Sequence, residues 1–525
     1  MPHKILIADP LDPSGLEVLQ QSGAEVHVLT AEERPRLPEI LADYDALVVR
    51  SSTKVTAELL RAGRRLKVVG RAGIGVDNVD VAAATEQGVL VVNAPTANLI
   101  SATEHTFALL LALARKVPPA DAAMKREDWD RKSFTGFELQ HKRLGVVGFG
   151  RIGQGVAARA RAFEMEVAAY DPYLDAAVAR RLDVTLLPLE ELLAWADVVT
   201  LHVPFTEETK GLVGAAELAR MKPGALLVNC ARGGVVDEQA LLAALDEGRL
   251  GGAAIDVFAE EPPLDWRLAA HPRVVATPHI GAQTVEAQER ISLETTRMVL
   301  AALEGSLAIS AVNLPFRPAG ARGEPFLRLG ERLGRLAGCL QGGSVNRLRV
   351  DLWGIDEALA VPVTVAALKG ALTCFLGEAV NYVNAEKLAA SRGIEVVRAS
   401  HQGPGDYPHL VGVQLGGESG EIELAGTLFG ENDARVVRFR GFRLEFRPEG
   451  RLMVLSNRDV PGVVGRLGTL LGEAGVNIAE IHLARVAGGD DAVAVLRLDQ
   501  QPDERVLRRI ADLPEVHDVQ VADLR

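Results

Sequence analysis

Short apolar runs alternate with stretches in which apolar residues recur every third or fourth position, and this alternation governs the chain from Lys4 to Leu303. The runs over 4–8, 24–29, 46–49, 67–69 and 89–92 predict buried strands, and the spacings over 14–21 and 81–87 predict helices between them. Such alternation builds a parallel sheet with helices on its faces, so residues 1–97 read as one small α/β unit. A long helical pattern starts at Asn98, where Ser101-Ala102-Thr103-Glu104 fits a capping box. Runs at 144–147, 167–170, 198–202, 225–230, 253–258 and 274–277 predict a second parallel sheet. A closing helix over 283–303 and the segment Ala311-Val312-Asn313 complete the alternation. The expected fold class is α/β, with two doubly wound parallel-sheet domains. The second (98–283) is inserted in the first (1–97 and 284–316).

The pattern then changes. Pro315, Pro318, Gly320 and Gly323 predict a linker. Residues 317–450 mix a helix over 326–340 with strands over 348–353, 422–429 and 437–446, an α+β domain without a visible catalytic constellation. Residues 451–525 read as strand 452–456, helix 462–474, strands 477–486 and 492–498, helix 504–511 and strand 516–521. That order, βαββαβ, is ferredoxin-like. In the turn from Asn457 to Gly462, Asp459 is placed to cap the first helix, and Pro461 suits its opening turn.

Composition narrows the function classes. At 525 residues the chain exceeds what one core supports, in line with several domains. A net charge of −13 without a basic tract argues against nucleic acid as a partner. The chain runs directly into a strand with no signal-peptide pattern, and no apolar run reaches membrane-spanning length. Cys230, Cys339 and Cys374 are scattered, without metal spacing or a disulfide framework, which suits a reducing cytoplasm. No metal site is expected.

Candidate chemistry gathers at the ends of predicted strands. Gly148-Phe149-Gly150-Arg151-Ile152-Gly153 is a G-x-G-x-x-G between a strand and a helix, and Asp171 ends the next strand about 20 residues on. Gly148 permits the tight turn, Gly150 lets a pyrophosphate approach the backbone, and Gly153 allows close helix–strand packing. The helix N-terminus and Arg151 face the phosphates. Asp171 accepts from the adenosine ribose and repels a 2′-phosphate, which favours NAD. On the same sheet edge, Arg232, Glu261 and His279 supply what oxidation of a 2-hydroxy acid needs. His279 is a base near neutral pH, Glu261 can orient it, and Arg232 can grip a carboxylate bidentately. Asp256 is placed to contact the nicotinamide carboxamide. His105 and His202 compete with His279, and Glu260 with Glu261. In the first unit, Arg50-Ser51-Ser52-Thr53 and Gly70-Arg71-Ala72-Gly73-Ile74-Gly75 end predicted strands, which makes Arg50 and Arg71 candidates to grip an anion.

The stretches RAGIGVDNVD, PTANLISATEH, LGVVGFGRIG, NCARGGVVDE, GGAAIDVFAEEPP, TPHIGAQTVEAQ and NRDVPGVVGRLGTLLGEAGVNIAEIHLARV together resemble the D-2-hydroxyacid dehydrogenase family. Within it they resemble the long-form D-3-phosphoglycerate dehydrogenases. The resemblance implies an intervening (allosteric substrate-binding type) domain over 317–450 and an ACT regulatory domain over 451–525. It implies NAD-dependent oxidation of 3-phospho-D-glycerate to 3-phosphohydroxypyruvate, the first step of phosphorylated L-serine biosynthesis. Arg232, Glu261 and His279 fall on the family's catalytic residues. Arg151, Ile152, Asp171, Cys230, Ala231, Arg232, Asp256, His279, Ile280, Gly281 and Ala282 fall on NAD contacts. Arg50, Ser51, Arg71, Ala72, Gly73 and Asn98 fall on the substrate side, with Arg131 reaching the phosphate from a neighbouring subunit of a homo-oligomer, dimer or tetramer. Asn457, Asp459 and Asn477 match the effector site of an ACT unit, with L-serine the implied effector. Ile74 and Ala97 depart from residues frequent in the family. Two further readings stand beside this one: a reductase for unphosphorylated 2-keto acids such as glyoxylate or hydroxypyruvate, and a non-catalytic dinucleotide sensor.

Overall fold

The computed structural model describes residues 2–306, 311–317, 319–401, 406–485 and 490–525. Pro318 of the expected linker and Val486, the last residue of an expected strand, lie outside them. The chain divides into two compact units. The first comprises Met1–Pro10, Glu17–Asn93 and Thr295–Arg525; the second comprises Leu11–Leu16 and Ala94–Glu294.

The first unit opens with strands β1 (Lys4–Ile7), β2 (Glu25–Val28), β3 (Ala46–Val49), β4 (Val68–Arg71) and β5 (Leu90–Asn93). They pair in parallel in the order β2-β1-β3-β4-β5. Ile5, Leu6, Ile7 and Ala46 through Val49 are fully buried, as strands covered on both faces require. The chain comes back to this sheet late: Val299 and Thr295 pack where a side chain on Gly70 would stand, and Ala311 bridges to Val92.

The second unit holds β6 (Arg143–Val147), β7 (Glu166–Tyr170), β8 (Thr185–Leu186), β9 (Val198–Leu201), β10 (Leu226–Asn229), β11 (Gly252–Ile255) and β12 (Val274–Ala276). Every pair is parallel, in the order β12-β11-β10-β9-β6-β7-β8. The order reverses beside β6, so the loop after β6 opens at the switch point where doubly wound sheets take their ligands.

In the intervening region, β13 (Val345–Trp353), β14 (Glu395–His401), β15 (Leu410–Gly417), β16 (Gly420–Phe429), β17 (Asp433–Phe439) and β18 (Phe442–Phe446) form a sheet in the order β14-β13-β15-β16-β17-β18. The last domain has β19 (Arg451–Arg458), β20 (Ile478–Arg485), β21 (Asp491–Leu498) and β22 (Val516–Asp523), in the antiparallel order β20-β21-β19-β22.

Several expectations are corrected here. The strand expected over 437–446 is two strands, because Arg440 and Gly441 take left-handed backbone and turn the chain into a hairpin. Gly320 and Gly323 belong to a helix, Gly320–Leu340, and not to a linker. A side chain on Gly323 would stand 2.6 Å from Leu359, so this glycine serves close packing. A second helix, Ala360–Leu376, has no counterpart in the sequence reading. The two helices approach through Gly330, Gly334 and Gly338, where added Cβ atoms would lie 2.8, 1.9 and 2.4 Å from the carbonyls of Val363, Ala367 and Ala371. This contact brings Cys339 and Cys374 together in a disulfide (Cα–Cα 5.3 Å), contrary to the expectation of three unpaired cysteines. One segment among the described residues meets the length and composition of a membrane span, and it is a buried core helix. Glu357–Leu376, with a mean hydropathy of 1.8, is long and apolar enough. Its Val363, Val365, Ala366 and Ala367 are wholly buried in the core of the intervening domain. The expected capping box at Ser101 is absent: the helix Leu99–Ala114 has begun before it, and Ser101 bonds Thr284 instead.

Candidate active site

Strand β6 ends in the glycine loop. Gly148 has φ +89°, and a Cβ there would stand 2.6 Å from the carbonyl of His202. At Gly153 a Cβ would stand 2.2 Å from the Gly148 carbonyl, so helix and strand meet at backbone distance. Gly150 caps the helix Arg151–Ala162 and has no protein atom within 4 Å of where a Cβ would be. The open face therefore lies at the glycine where the sequence pattern expects a pyrophosphate to approach, at the N-terminus of the helix. Arg151 is exposed at the first helical position and Ile152 is half-buried behind it. Asp171 follows β7, and its carboxylate accepts from Phe149 N and Tyr173 N, both at 2.9 Å. One acid thus ties the end of β7 to the glycine loop. These residues fit a dinucleotide.

At the ends of β10, β11 and β12 the other loops converge. Asn229 closes the first: its amide oxygen accepts from Ala231 N at 3.1 Å and its amide nitrogen donates to the Arg232 carbonyl at 3.0 Å. The next residue, Gly233, sits against the Phe258 carbonyl, where a Cβ would be only 1.8 Å away. The Arg232 loop and the loop carrying Glu261 therefore pack backbone to backbone, a tie the sequence reading missed. Glu261 accepts from Phe258 N at 3.2 Å through one oxygen and lies 2.7 Å from His279 Nδ1 through the other. His279 has φ +52°, and its N–H bonds the Asp256 carbonyl at 2.8 Å. Burial alone would raise the Glu261 carboxyl; the hydrogen bond and charge of His279 and the Phe258 N–H outweigh it and hold the group below its ordinary value.

The competing residues have other places. Glu260 has no bond to His279; Glu261 does. Desolvation lowers His202 to about 4, so it is neutral at pH 7, and its Nε2 lies 2.9 Å from Thr200 Oγ1. His105 contacts Asp256 and Thr277, each at 3.1 Å. Asp256 also accepts from Thr277 Oγ1 at 2.6 Å, Ile280 N at 2.9 Å and Gly281 N at 2.9 Å. It is 1% exposed, so its carboxylate is the strut of the loop that carries His279. Ala282 continues that loop and accepts from Gln288. Cys230, beside it, is pushed up to about 12 by burial and by the Asp256 charge. Asn98 has a buried side-chain oxygen without a hydrogen-bond partner among the described residues. Arg131 is exposed in the stretch before β6.

Arg50 and Arg71 belong to the first unit, at the ends of β3 and β4. Ser51 is exposed beside Arg50; Ala72 is buried, and Gly73 takes φ +146° beneath the Arg71 guanidinium. In the last domain, Asn457 and Asp459 line a cavity of about 170 Å³ together with Val463, Leu467, Leu483 and Arg485. Asn457 lies inside β19, and its side-chain oxygen is buried without a partner among the described residues. Asp459 does not cap the helix. The cap is Gly462 at φ +95°, and Asp459 pairs with Arg485 at 3.2 Å. Asn477 does not line the cavity; its amide bonds Asp499 at 2.6 Å.

Known proteins match each of these parts. Residues 107–281 match the NAD binding domain of D-isomer specific 2-hydroxyacid dehydrogenases, 323–440 the D-3-phosphoglycerate dehydrogenase intervening domain, and 451–515 the ACT domain. The D-3-phosphoglycerate dehydrogenase of Mycobacterium tuberculosis is 43% identical over 525 residues, 99% of each chain. That of Methanocaldococcus jannaschii is 41% identical, over 99% of this chain and all of its own. The chain belongs to the D-3-phosphoglycerate dehydrogenase family. It is an NAD-dependent D-2-hydroxyacid dehydrogenase with an ACT domain at its C-terminal end. Two solved structures resemble a little over half of the chain. The D-lactate dehydrogenase of Aquifex aeolicus, complexed with NAD and lactic acid, is 30% identical, covering 58% of this chain and 96% of its own with a TM-score of 0.53. The NAD-dependent formate dehydrogenase of Staphylococcus aureus, in complex with NAD, is 32% identical, covering 57% and 96% with a TM-score of 0.52.

Proposed function

We propose that the chain oxidises 3-phospho-D-glycerate to 3-phosphohydroxypyruvate with His279 as the base. The observation that carries this reading is the 2.7 Å contact between His279 and Glu261 at the strand ends that also present Arg232. With Nδ1 on the carboxylate, Nε2 is the nitrogen left to take the C2 hydroxyl proton. Glu261 holds the ring and stabilises the imidazolium that forms. Arg232 grips the substrate carboxylate, and Asn98 offers its unmatched oxygen to a substrate hydroxyl. Bound NAD supplies the acceptor for the hydride that leaves C2. Gly148, Gly150, Arg151, Ile152 and Gly153 hold its pyrophosphate and Asp171 its ribose. Cys230, Ala231 and Asp256, with residues 279–282, line its nicotinamide end. Arg50, Ser51, Arg71, Ala72 and Gly73 form the phosphate side, and in a homo-oligomer Arg131 of a second copy adds to it. The test is kcat/KM for 3-phosphohydroxypyruvate against hydroxypyruvate with NADH. A large preference for the phosphorylated substrate supports the reading; equal or reversed preference removes the phosphate role of Arg50 and Arg71.

We further propose L-serine as the effector of the ACT domain, held at Asn457 and Asp459. The support is a small cavity lined by Asn457, whose side-chain oxygen has no partner among the described residues, and by Asp459, whose carboxylate an ammonium group would share with Arg485. Asn477, tied to Asp499, would have to exchange that partner to join them. A rate that stays flat up to millimolar serine, with no heat of serine binding, rejects this proposal.

A further inference from the structure

The two arginines assigned to the phosphate sit on backbone held from two sides. Asp9, at the end of β1, is 1% exposed. It accepts from Arg50 N at 2.7 Å, Thr53 N at 3.2 Å, Ser52 Oγ at 2.7 Å and Thr53 Oγ1 at 2.8 Å. Arg34 balances its charge at 2.8 Å. Asp9 therefore takes the donors of residues 50–53. Asn78 takes the acceptors. Its amide nitrogen donates to the carbonyls of Arg50 and Thr53, both at 2.6 Å. Its amide oxygen accepts from Arg71 Nε at 3.3 Å.

We infer that Asn78 is a positioning residue that sets Arg50 and Arg71 as one clamp and so determines preference for a phosphorylated substrate; this rests on the reading that these arginines meet the phosphate. A primary amide suits the place because it carries two N–H donors and an acceptor on one rigid plane. A carboxylate there would turn an oxygen toward two carbonyls, and a hydroxyl has one hydrogen for two acceptors. The amide itself is anchored. The Asn78 carbonyl accepts from Val55 N at 2.7 Å, and Val79 bridges to Val55 in parallel. Asp80 caps the helix that follows. The strands add registration: Val49 pairs with Arg71, and Ala72 N bonds the Val49 carbonyl at 2.8 Å. Gly73 completes the arrangement, since a Cβ there would lie 1.8 Å from Arg71 Nη1. The guanidinium can lie over this position only because it is glycine. Asp9 supports the loop, and Asn78 links the loop to the second arginine.

The test compares Asn78→Ala and Asn78→Asp with wild type, using 3-phosphohydroxypyruvate and hydroxypyruvate as substrates and NADH affinity and thermal unfolding as controls. Asn78→Asp keeps an acceptor for Arg71 and nearly the same shape, so it guards against failure of the alanine variant to fold. The expected result is a rise of about tenfold in KM for the phosphorylated substrate with a much smaller change in kcat, so that the preference over hydroxypyruvate collapses. The Arg50→Ala/Arg71→Ala variant is the reference. Adding Asn78→Ala to it is expected to change the preference no further, because Asn78 acts through these two side chains. If the double arginine variant keeps the preference, the phosphate reading fails. If it loses the preference while both Asn78 variants keep it, the role of Asn78 alone is overturned. An equal loss of kcat on both substrates with a lower unfolding temperature would make Asn78 merely structural and overturn the inference as well.

Discussion

His279 Nδ1 lies 2.7 Å from a Glu261 carboxylate oxygen, and both residues are held by the backbone next to Asp256: the His279 N–H bonds the Asp256 carbonyl, and Phe258 N bonds Glu261. The pair is therefore oriented before any substrate arrives. Replacing Glu261 by Gln keeps the shape and removes the charge that stabilises the imidazolium. The expected outcome is a fall of about 100-fold in kcat with NADH affinity unchanged, and a larger fall for His279→Ala. Steady-state rates with NADH binding by fluorescence check both. Near-full activity in His279→Ala would remove the base from this residue.

Gly150 and Gly153 allow cofactor binding to be separated from folding. A methyl group at Gly150 meets no protein atom within 4 Å, whereas at Gly153 it would meet the Gly148 carbonyl at 2.2 Å. Gly150→Ala is expected to unfold like wild type but to bind NADH at least about tenfold more weakly, since the group displaced is the ligand. Gly153→Ala is expected to lose NADH binding and about 1–3 kcal/mol of stability together. Denaturant unfolding without cofactor, paired with NADH titration, distinguishes the two. Wild-type affinity in Gly150→Ala would place the pyrophosphate elsewhere.

The glycine loop and the strand-end residues were readable from the chain because their signals are local: a periodicity change, a glycine spacing and an acid after the next strand. What the sequence concealed depends on contacts across the chain. Glu260 and Glu261 are neighbours of identical chemistry, and only the loop geometry turns one of them to His279. His105 reads as a possible base, yet it sits against Asp256 on a helix far away in sequence. Gly320 and Gly323 look like linker residues until the second helix is present to pack against. That helix, Ala360–Leu376, is apolar on all sides and so lacks the one-sided spacing that marks a surface helix. Asn78 lies in the stretch RAGIGVDNVD, but its own role was not readable, since it rests on side-chain hydrogen bonds to residues 50–53 and to Arg71.

Asp9 gives a pH dependence with a definite sign. Burial would raise its carboxyl, but the bonds from Ser52, Arg34, Arg50 N and Thr53 prevail and hold it below its ordinary value. A lowered native value contributes stability in full above the unfolded value of about 4, and this contribution is lost as pH falls through the native value. Asp9→Asn is expected to be less stable than wild type by a constant margin from neutral pH down to about 4. The margin should shrink below that. Urea unfolding of both proteins across this range measures it; a margin that grows on acidification would contradict the assignment.

Cys339 and Cys374 close a loop with a sequence separation of 35 across the two glycine-packed helices, while Cys230 is pushed up to about 12. A thiol so raised is almost entirely protonated at pH 8 and unreactive. Protein prepared without reductant should therefore show almost no thiol reaction when native and one thiol when unfolded. After reduction and unfolding all three cysteines should react. Cross-linking a loop of this length stabilises by up to about 3–4 kcal/mol, chiefly by restricting the unfolded chain. Reduction, or Cys374→Ser, should accordingly lower the unfolding midpoint of the intervening domain while leaving NADH affinity unchanged, because none of the residues assigned to the cofactor lies on either helix. Three reactive thiols in the unfolded, unreduced protein would show that the pair stays as a dithiol, and the stability difference between wild type and Cys374→Ser should then fall to that of a single half-buried side chain.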